Sequence, residues 1–333
     1  MLRRPFAVLS IIAGLIAPTT AQERVAIGTQ RLTDNGALFL AAAEGYFKAE
    51  GIDLGMTAYE TDQVAETLAS GATDFGLAAF TPAAFNFAGK GTIKAIAAQA
   101  REKRDYEGTE IIASNAGFNK GLRKFEDIAN RTVAITALGS VSHYQLEQIA
   151  RIKRVDMNRI TVKPMQTLDA IGRAIGTNQV DAAIMPALHA RELLAANQAK
   201  LVGWYSELDE QQFGALFVSS KMIAGRRAVV EKFVRAYRRG AADYAAALLR
   251  KDRQAKRTSD IKSHAAATTI ARYVYPDRGE SGAATVEASA YFIEPQARLD
   301  VADIERQIAW HKAQGRVDKN VSARDVVDLS FVK

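Results

Sequence analysis

The segment TVAITALGSVSHYQLEQIARIKR, residues 132–154, predicts a β-strand, a sharp turn and an α-helix in immediate succession. Thr132–Thr136 is a short run rich in β-branched residues, which is typical of a strand, and Gly139 gives the backbone freedom to turn. Ser142 is expected to cap the helix, and Gln145 three residues later completes a capping box. The strand and the helix therefore require no ligand to form.

The turn in this segment has the chemistry of an anion site. Ser140 and Ser142 flank backbone N–H groups at the start of a helix, where the helix dipole is positive. Two interpretations follow from these residues alone. Either the turn binds an anion, or Ser142 only caps its own helix while Ser140 faces water.

Short strands alternate with helices along most of the chain, which predicts an α/β fold with mainly parallel sheets covered by helices on both faces. The predicted strands are residues 25–29, 52–58, 74–79, 93–99, 110–114, 132–136, 160–164, 181–185, 201–204 and 213–219. Ligands of such sheets bind beyond the carboxyl ends of the strands. The loops of interest in the first half are therefore 30–35, 80–81 and 99–101.

An internal repeat indicates that this architecture occurs twice. LASGATDFGLA, residues 68–78, and AIGTNQVDAAIM, residues 174–185, both read as a helix end, a turn, an aspartate and an apolar strand. Asn178 stands where the first copy has Gly71, and asparagine is the residue that most often replaces glycine at a left-handed helix end.

A helix started by a proline is expected after both strands of the repeat, at Pro82 and Pro186. Thr81 is expected to cap the first of these helices. After residue 219 the sequence becomes almost wholly helical, and Asp300 is expected to cap one of the last helices.

Composition excludes several classes of protein. The chain has 333 residues, is 48% hydrophobic and contains no cysteine, so disulfides, thiolate metal sites and a cysteine nucleophile are excluded. No two of its four histidines have metal-ligand spacing, and we expect neither a metal nor a cofactor. The formal charge of +7 is spread along the chain with interleaved acidic residues, which argues against nucleic-acid binding.

Residues 1–21 have the features of a secretory signal peptide. Arg3 and Arg4 precede an apolar stretch that is too short to span a bilayer, and small residues stand before a cleavage site after Ala21. With no cysteine for lipid attachment, the expected location is the periplasm of a double-membraned bacterium.

The order of these elements resembles the substrate-binding proteins of bacterial ABC importers, in particular the family serving taurine, alkanesulfonates, nitrate and thiamine-pyrimidine precursors. The resemblance is carried by residues 43–54 (AEGYFKAEGIDL), 68–78, 132–149, 178–186 and 229–244. It implies a two-lobed binding-protein fold that closes on its ligand by a hinge. The first lobe would comprise 22–112 and 217–333, the second 113–216, with crossovers near 110–115 and 213–219.

The resemblance also implies the function and the site. The protein would capture a small, anionic organic molecule, a sulfonate or carboxylate, and deliver it as a monomer to an ABC permease and ATPase complex in the inner membrane. The expected ligand-binding residues follow strand ends or start helices: Gln30, Arg31, Thr81, Ser140, Ser142, His143, Pro186 and Trp204. Arg31 would face the two serines across the cleft and clasp the anion. Arg101 is a weaker candidate.

Two alternative functions remain open at this point. A binding protein of the same architecture can act as a sensor that docks on a membrane receptor, through the same cleft and hinge. An enzyme related to the eukaryotic pyrimidine synthases is the other alternative, but their histidine and cysteine-rich mechanism needs a cysteine. We therefore expect no catalytic residue.

Overall fold

A computed structural model describes residues 22–106, 108–254 and 256–332. The predicted signal peptide, residues 1–21, lies outside the described residues. In the part that is described, no helix combines the length and the hydrophobicity needed to cross a bilayer.

The described chain alternates strands and helices up to residue 219 and is mainly helical from there on, as the sequence predicts. The strands are β1 (Glu23–Thr29), β2 (Ile52–Ala58), β3 (Phe75–Ala79), β4 (Ile93–Ala98), β5 (Ala100–Glu102), β6 (Thr109–Ser114), β7 (Thr132–Ile135), β8 (Thr161–Pro164), β9 (Ala182–Pro186), β10 (Ala199–Trp204), β11 (Gln211–Gln212), β12 (Gly214–Ser219) and β13 (Phe292–Ile293). The helices are α1 (Gly36–Ala43), α2 (Tyr46–Ala49), α3 (Thr61–Ser70), α4 (Pro82–Gly89), α5 (Asn115–Asn119), α6 (Val141–Lys153), α7 (Leu168–Gly176), α8 (Ala187–Ala195), α9 (Ser220–Gly225), α10 (Arg227–Leu248), α11 (Ile261–Val274), α12 (Gly279–Ala288), α13 (Val301–Ala313) and α14 (Ala323–Val326).

Two five-stranded sheets confirm the mainly parallel α/β architecture. The first sheet has the order β2-β1-β3-β12-β4, with β1 parallel to β2 and β3 and with β12 antiparallel to both of its neighbours. The second has the order β10-β6-β9-β7-β8, with β7 parallel to β8 and β9 and with β6 antiparallel to its neighbours. We call each sheet with its helices a lobe.

The connections between the lobes place the carboxyl ends of both sheets at the lobe boundary. The chain leaves the first lobe after the carboxyl end of β4 and enters β6 at Thr109, which pairs with Pro186 at the carboxyl end of β9. It returns between residues 205 and 213. The ligand-binding edge expected for a parallel sheet is therefore turned toward the other lobe in each case.

A small third sheet, β11-β5-β13, lies at these connections and was not predicted. Its strands are two or three residues long, which is too short for a pattern of alternating hydrophobicity to be detected. Gln211 pairs with Glu102, and Phe292 pairs with Arg101. This sheet joins both connections to the C-terminal region.

The internal repeat is confirmed in hydrogen-bonding detail. Asp74 Oδ2 accepts a hydrogen bond from the N–H of Ala26 in β1 at 2.9 Å. Asp181 Oδ2 accepts one from the N–H of Thr132 in β7, also at 2.9 Å. Each aspartate thus satisfies a backbone donor of the first parallel strand of its own lobe, which explains why the same residue type occurs at both places.

The turns of the repeat also correspond, with one exception. Gly71 has φ +83° and Asn178 has φ +59°, so both adopt the predicted left-handed conformation. Pro82 is the first residue of α4, as expected. Pro186 was expected at the same position of its helix but instead precedes α8, because β9 continues through it.

Helix α10 forms the centre of the first lobe. Its aromatic residues Phe233, Tyr237 and Tyr244 are fully buried, as their helical spacing predicts. Tyr237 donates a hydrogen bond to the Ala98 carbonyl at 2.9 Å, which satisfies the hydroxyl inside the core. These tyrosines are therefore structural.

Candidate ligand site between the lobes

The turn before α6 differs from the prediction in its capping residue. Ser140, not Ser142, is the N-cap, and its Oγ accepts a hydrogen bond from the His143 N–H at 3.3 Å. The reason is Gly139, whose φ of +86° turns the chain early enough for Ser140 to be the last extended residue. Gln145 forms no capping box, because its side chain points to the crossover between the lobes.

The serine hydroxyls hold the turn together. Ser142 Oγ accepts a hydrogen bond from the Thr136 N–H at 3.1 Å and lies 3.0 Å from Ser140 Oγ. Ser142 is buried at 8% exposure, whereas Ser140 is partly accessible. The N–H groups of Val141 and Ser142 precede the first intrahelical donor, the Tyr144 N–H, which binds the Ser140 carbonyl at 3.0 Å, so they remain donors for an anion.

His143 is part of this turn and is electrically neutral at pH 7. Its Nδ1 accepts a hydrogen bond from the Gly139 N–H at 3.0 Å, which places the proton on Nε2. Burial lowers the pKa of His143, an effect that the nearby Glu147 carboxylate opposes and the Arg316 guanidinium reinforces. The side chain also packs edge-on against Trp310. His143 therefore positions the turn.

The first lobe faces this turn with Pro82 and Arg316. A Cβ built on Gly139 would lie 3.0 Å from Pro82 Cγ and 3.2 Å from Arg316 Cδ, so the lobes are in contact here. Among the described residues, the Arg316 side chain has no hydrogen-bond or ion-pair partner, and its Nε is buried. Thr81, beside Pro82, is buried and caps α4 through the Ala84 N–H, as predicted. The Arg316 side chain, with its unpaired guanidinium, thus packs against the turn that precedes α6.

Two further sets of contacts join the C-terminal helices of the first lobe to the second lobe. Glu147 in α6 accepts hydrogen bonds from Trp310 Nε1 at 2.8 Å and from Gln314 Nε2 at 2.9 Å. Arg278, just before α12, pairs with Glu192 in α8 at 2.8 Å. The C-terminal helices therefore contact the second lobe at two places.

Arg31 lies at a cavity whose lining residues do not include the serine turn. Arg31 is exposed, and this cavity of about 270 Å³ lies at the carboxyl ends of β1 and β2. Arg272 and Tyr273 of α11 form the opposite wall, and Tyr273 stacks on Phe39 at 4.8 Å. Neighbouring Gln30 accepts a hydrogen bond on its carbonyl from Asn35 at 2.9 Å. Arg31 and the serine turn, which together form the predicted anion site, thus have different neighbours.

Pro186 and Trp204 share the edge of the second sheet that faces the crossover. Pro186 pairs with Thr109 and Trp204 pairs with Glu110, both on β6. Trp204 is half-buried. Both residues therefore lie at the edge of the sheet where ligands of parallel sheets are expected.

Arg101 belongs to an ion-pair network away from the turn. Its guanidinium lies 2.9 Å from Asp300 and 3.4 Å from Glu210, and its side chain is 16% exposed. The charged cluster around it therefore links β5 to the start of α13, where Asp300 is the predicted N-cap.

The chain matches a known protein family over most of its length. A family model described as "NMT1/THI5 like" matches residues 33–247, which include the second sheet, the α6 turn and every strand of the first sheet except β1. The chain belongs to the NMT1/THI5-like family. No curated protein matches its sequence. In this family member, Trp310 and Arg316 lie beyond the matched segment, so the family pattern gives no signal for them.

Solved structures confirm the fold of this family member. The periplasmic aliphatic sulphonate binding protein SsuA from Escherichia coli is similar with a TM-score of 0.72 at 15% identity, over 92% of this chain and 92% of that one. The alkanesulfonate-binding protein SsuA from Xanthomonas axonopodis pv. citri, bound to MOPS, is similar with a TM-score of 0.70 at 17% identity, over 93% of this chain and 100% of that one. The desulfurization enzyme DszB is similar with a TM-score of 0.69 at 14% identity, over 93% of this chain and 98% of that one. The fold thus occurs in both binding proteins and an enzyme.

The capping role of Ser140 gives a testable prediction. Ser140→Ala should lower the free energy of unfolding by about 1 kcal/mol, because an N-cap acceptor is lost. Ser140→Thr retains that acceptor and should be close to the parent protein. Amide hydrogen exchange locates the effect: the His143 N–H should exchange faster in Ser140→Ala than in Ser142→Ala. Equal protection of this amide in both variants would contradict the assignment.

Proposed function

We propose that the protein is an extracytoplasmic solute-binding protein of an ABC importer, which captures a small organic anion between its lobes. The observation that carries this proposal is the turn at the N-terminus of α6, where the unpaired Arg316 side chain of the first lobe packs against Gly139 across the lobe boundary. A helix N-terminus and a guanidinium from the opposite lobe can contact one anion only when the lobes are closed. Binding and closure would then be coupled.

The chemistry of the proposed site suits a sulfonate or carboxylate head group. The Val141 and Ser142 N–H groups are oriented donors, and the helix dipole adds roughly half a positive charge. Arg316 supplies a full charge and a planar pair of donors, the geometry that matches carboxylate and similar oxyanions. Ser140 and Ser142 can rotate hydroxyl hydrogens toward an anion while their oxygens still accept from the His143 and Thr136 N–H groups.

The same residues argue for binding without catalysis. His143 Nδ1 accepts from the Gly139 N–H and is not directed at a serine oxygen, so the turn lacks a nucleophile and base pair. The chain has no cysteine with which to replace one. We therefore infer that the bound molecule is released unchanged.

Delivery and location complete the proposal. The signal-peptide features of residues 1–21 support export to the periplasm, where a monomeric binding protein meets the permease and ATPase complex. Hinge closure about the two connections between the lobes would give the transporter a liganded shape to recognise.

A thermal-shift screen of residues 22–333 tests this function. The screen should include alkanesulfonates, arenesulfonates, aliphatic and aromatic carboxylates, nitrate and pyrimidines. At 100 times its Kd, a specific anion should add about 2.7 kcal/mol to the free energy of unfolding. Mass spectrometry should recover that anion unchanged. Stabilisation only by uncharged compounds, or recovery of a chemically altered molecule, would contradict the proposal.

A further inference from the structure

Four fully buried polar side chains meet where the chain crosses between the lobes. We call Glu102, Gln145, Tyr205 and Gln211 the crossover cluster; all four have 0% exposure. Within the described residues, Glu102 Oε2, Gln145 Oε1, the Tyr205 hydroxyl and both side-chain polar atoms of Gln211 have no hydrogen-bond partner. Buried polar atoms in folded proteins are nearly always paired, so this concentration requires an explanation.

The members of the crossover cluster are close together. Glu102 Oε1 accepts a hydrogen bond from the Thr109 N–H at 2.7 Å and lies 3.4 Å from Gln145 Nε2. Gln211 is directly opposite Glu102 on the antiparallel β5–β11 ladder, so both side chains are on the same face of that sheet. Burial is the main cause of the raised pKa of Tyr205, and the charge of Glu102 contributes to it after those of Asp209 and Tyr144, which indicates that Glu102 and Tyr205 are near each other.

The crossover cluster has an excess of negative charge and of acceptors. Among the residues that the structure describes, no cationic side chain contacts Glu102, and burial raises its pKa to about 7. No group of three or more acidic or histidine side chains in the described chain has the spacing to hold a metal ion. What the crossover cluster lacks is a group with several N–H donors.

We propose that the crossover cluster is a binding site for a small organic nitrogen cation, an amidinium or ammonium group. Such a group would donate hydrogen bonds to Glu102 Oε2, Gln145 Oε1 and Gln211 Oε1 and would offset the buried charge of Glu102. This site is distinct from the anion site at the start of α6. It does not depend on the proposed import function.

The probe for this site is acetamidinium chloride, which is planar and carries four N–H donors. At pH 8, where Glu102 is mostly ionised, increasing acetamidinium should raise the melting temperature of residues 22–333 in a saturable way. Tetramethylammonium chloride at equal concentration has the same charge and no N–H donor, so it should have no such effect. Equal responses to the two salts would overturn the proposal and leave buried water as the partner of these atoms.

Two variants locate the binding. Glu102→Gln keeps an oxygen for the Thr109 N–H but removes the charge, and it should weaken acetamidinium binding by roughly tenfold or more. Gln211→Leu leaves Glu102 and its hydrogen bond intact, and it should weaken acetamidinium binding by roughly threefold to tenfold. This second variant provides a test if Glu102→Gln does not fold. The matched control is Glu66→Gln on the exposed face of α3. Parent-like affinity in Glu102→Gln or in a folded Gln211→Leu would overturn the assignment.

Discussion

Arg316→Ala should weaken binding of an organic sulfonate or carboxylate by about 10- to 100-fold, because a charge-assisted hydrogen bond from the first lobe is lost. The effect should be larger than that of Arg31→Ala, although Arg31 is the residue that the sequence favours. The difference follows from position: Arg316 lies against Gly139 in the α6 turn, whereas Arg31 lines a separate cavity with Arg272. Isothermal titration with the anion that stabilises most in the thermal-shift screen measures both variants.

Arg324→Ala serves as the control for Arg316→Ala. Arg324 belongs to the same C-terminal region and is exposed on α14, so its removal changes net charge equally without touching the lobe boundary. We expect parent-like affinity for this control. A larger loss in Arg31→Ala than in Arg316→Ala would show that the anion binds in the cavity at the ends of β1 and β2.

Trp310→Ala should lower anion affinity by about tenfold or more without contacting the anion. Trp310 packs against His143 and Tyr144 of the second lobe and donates a hydrogen bond to Glu147 at 2.8 Å. If these contacts form only on closure, their loss favours the open state, and affinity falls with the fraction of closed protein. Titration of the variant and small-angle scattering with and without the anion test the prediction.

Trp310→Phe separates the ring contacts from the hydrogen bond. It retains an aromatic side chain against His143 but removes the donor to Glu147, so its affinity should lie between those of the parent and Trp310→Ala. If Trp310→Ala binds like the parent, α13 does not control closure. Unchanged scattering on addition of the anion, in every variant, would contradict the hinge itself.

Much of the fold is predictable because hydrophobic and polar residues follow a clear pattern along its strands. β2 was predicted to the residue, and the other long strands to within two residues, because apolar β-branched runs are bounded by glycine and polar turns. The repeat around Asp74 and Asp181 was predictable for a related reason. An aspartate that pairs with a backbone donor of the neighbouring strand has to keep its place relative to the turn.

The capping residue at α6 shows how a local pattern can point two residues too far along the chain. Ser142 and Gln145 have the spacing of a capping box, and nothing nearby in the sequence contradicts it. The structure instead uses Gln145 for a tertiary contact with Thr109 across the crossover and leaves the cap to Ser140. A long-range contact of this kind is not visible in a window of a few residues.

The opposing side of the site was not predictable from the sequence. Arg316 and Trp310 lie near the C-terminus, in a helical region whose residues pair with elements more than 150 positions away. The crossover cluster is equally hidden, because Glu102 and Gln211 meet on strands of three and two residues. Only tertiary structure brings these side chains together.

A crystal structure of residues 22–333 with the most stabilising anion is the most direct test of the proposed site. The account predicts head-group oxygens within about 3 Å of the Val141 and Ser142 nitrogens and of the Arg316 guanidinium, with the lobes closed. A head group bound instead between Arg31 and Arg272, with the α6 turn and Arg316 unoccupied, would contradict it.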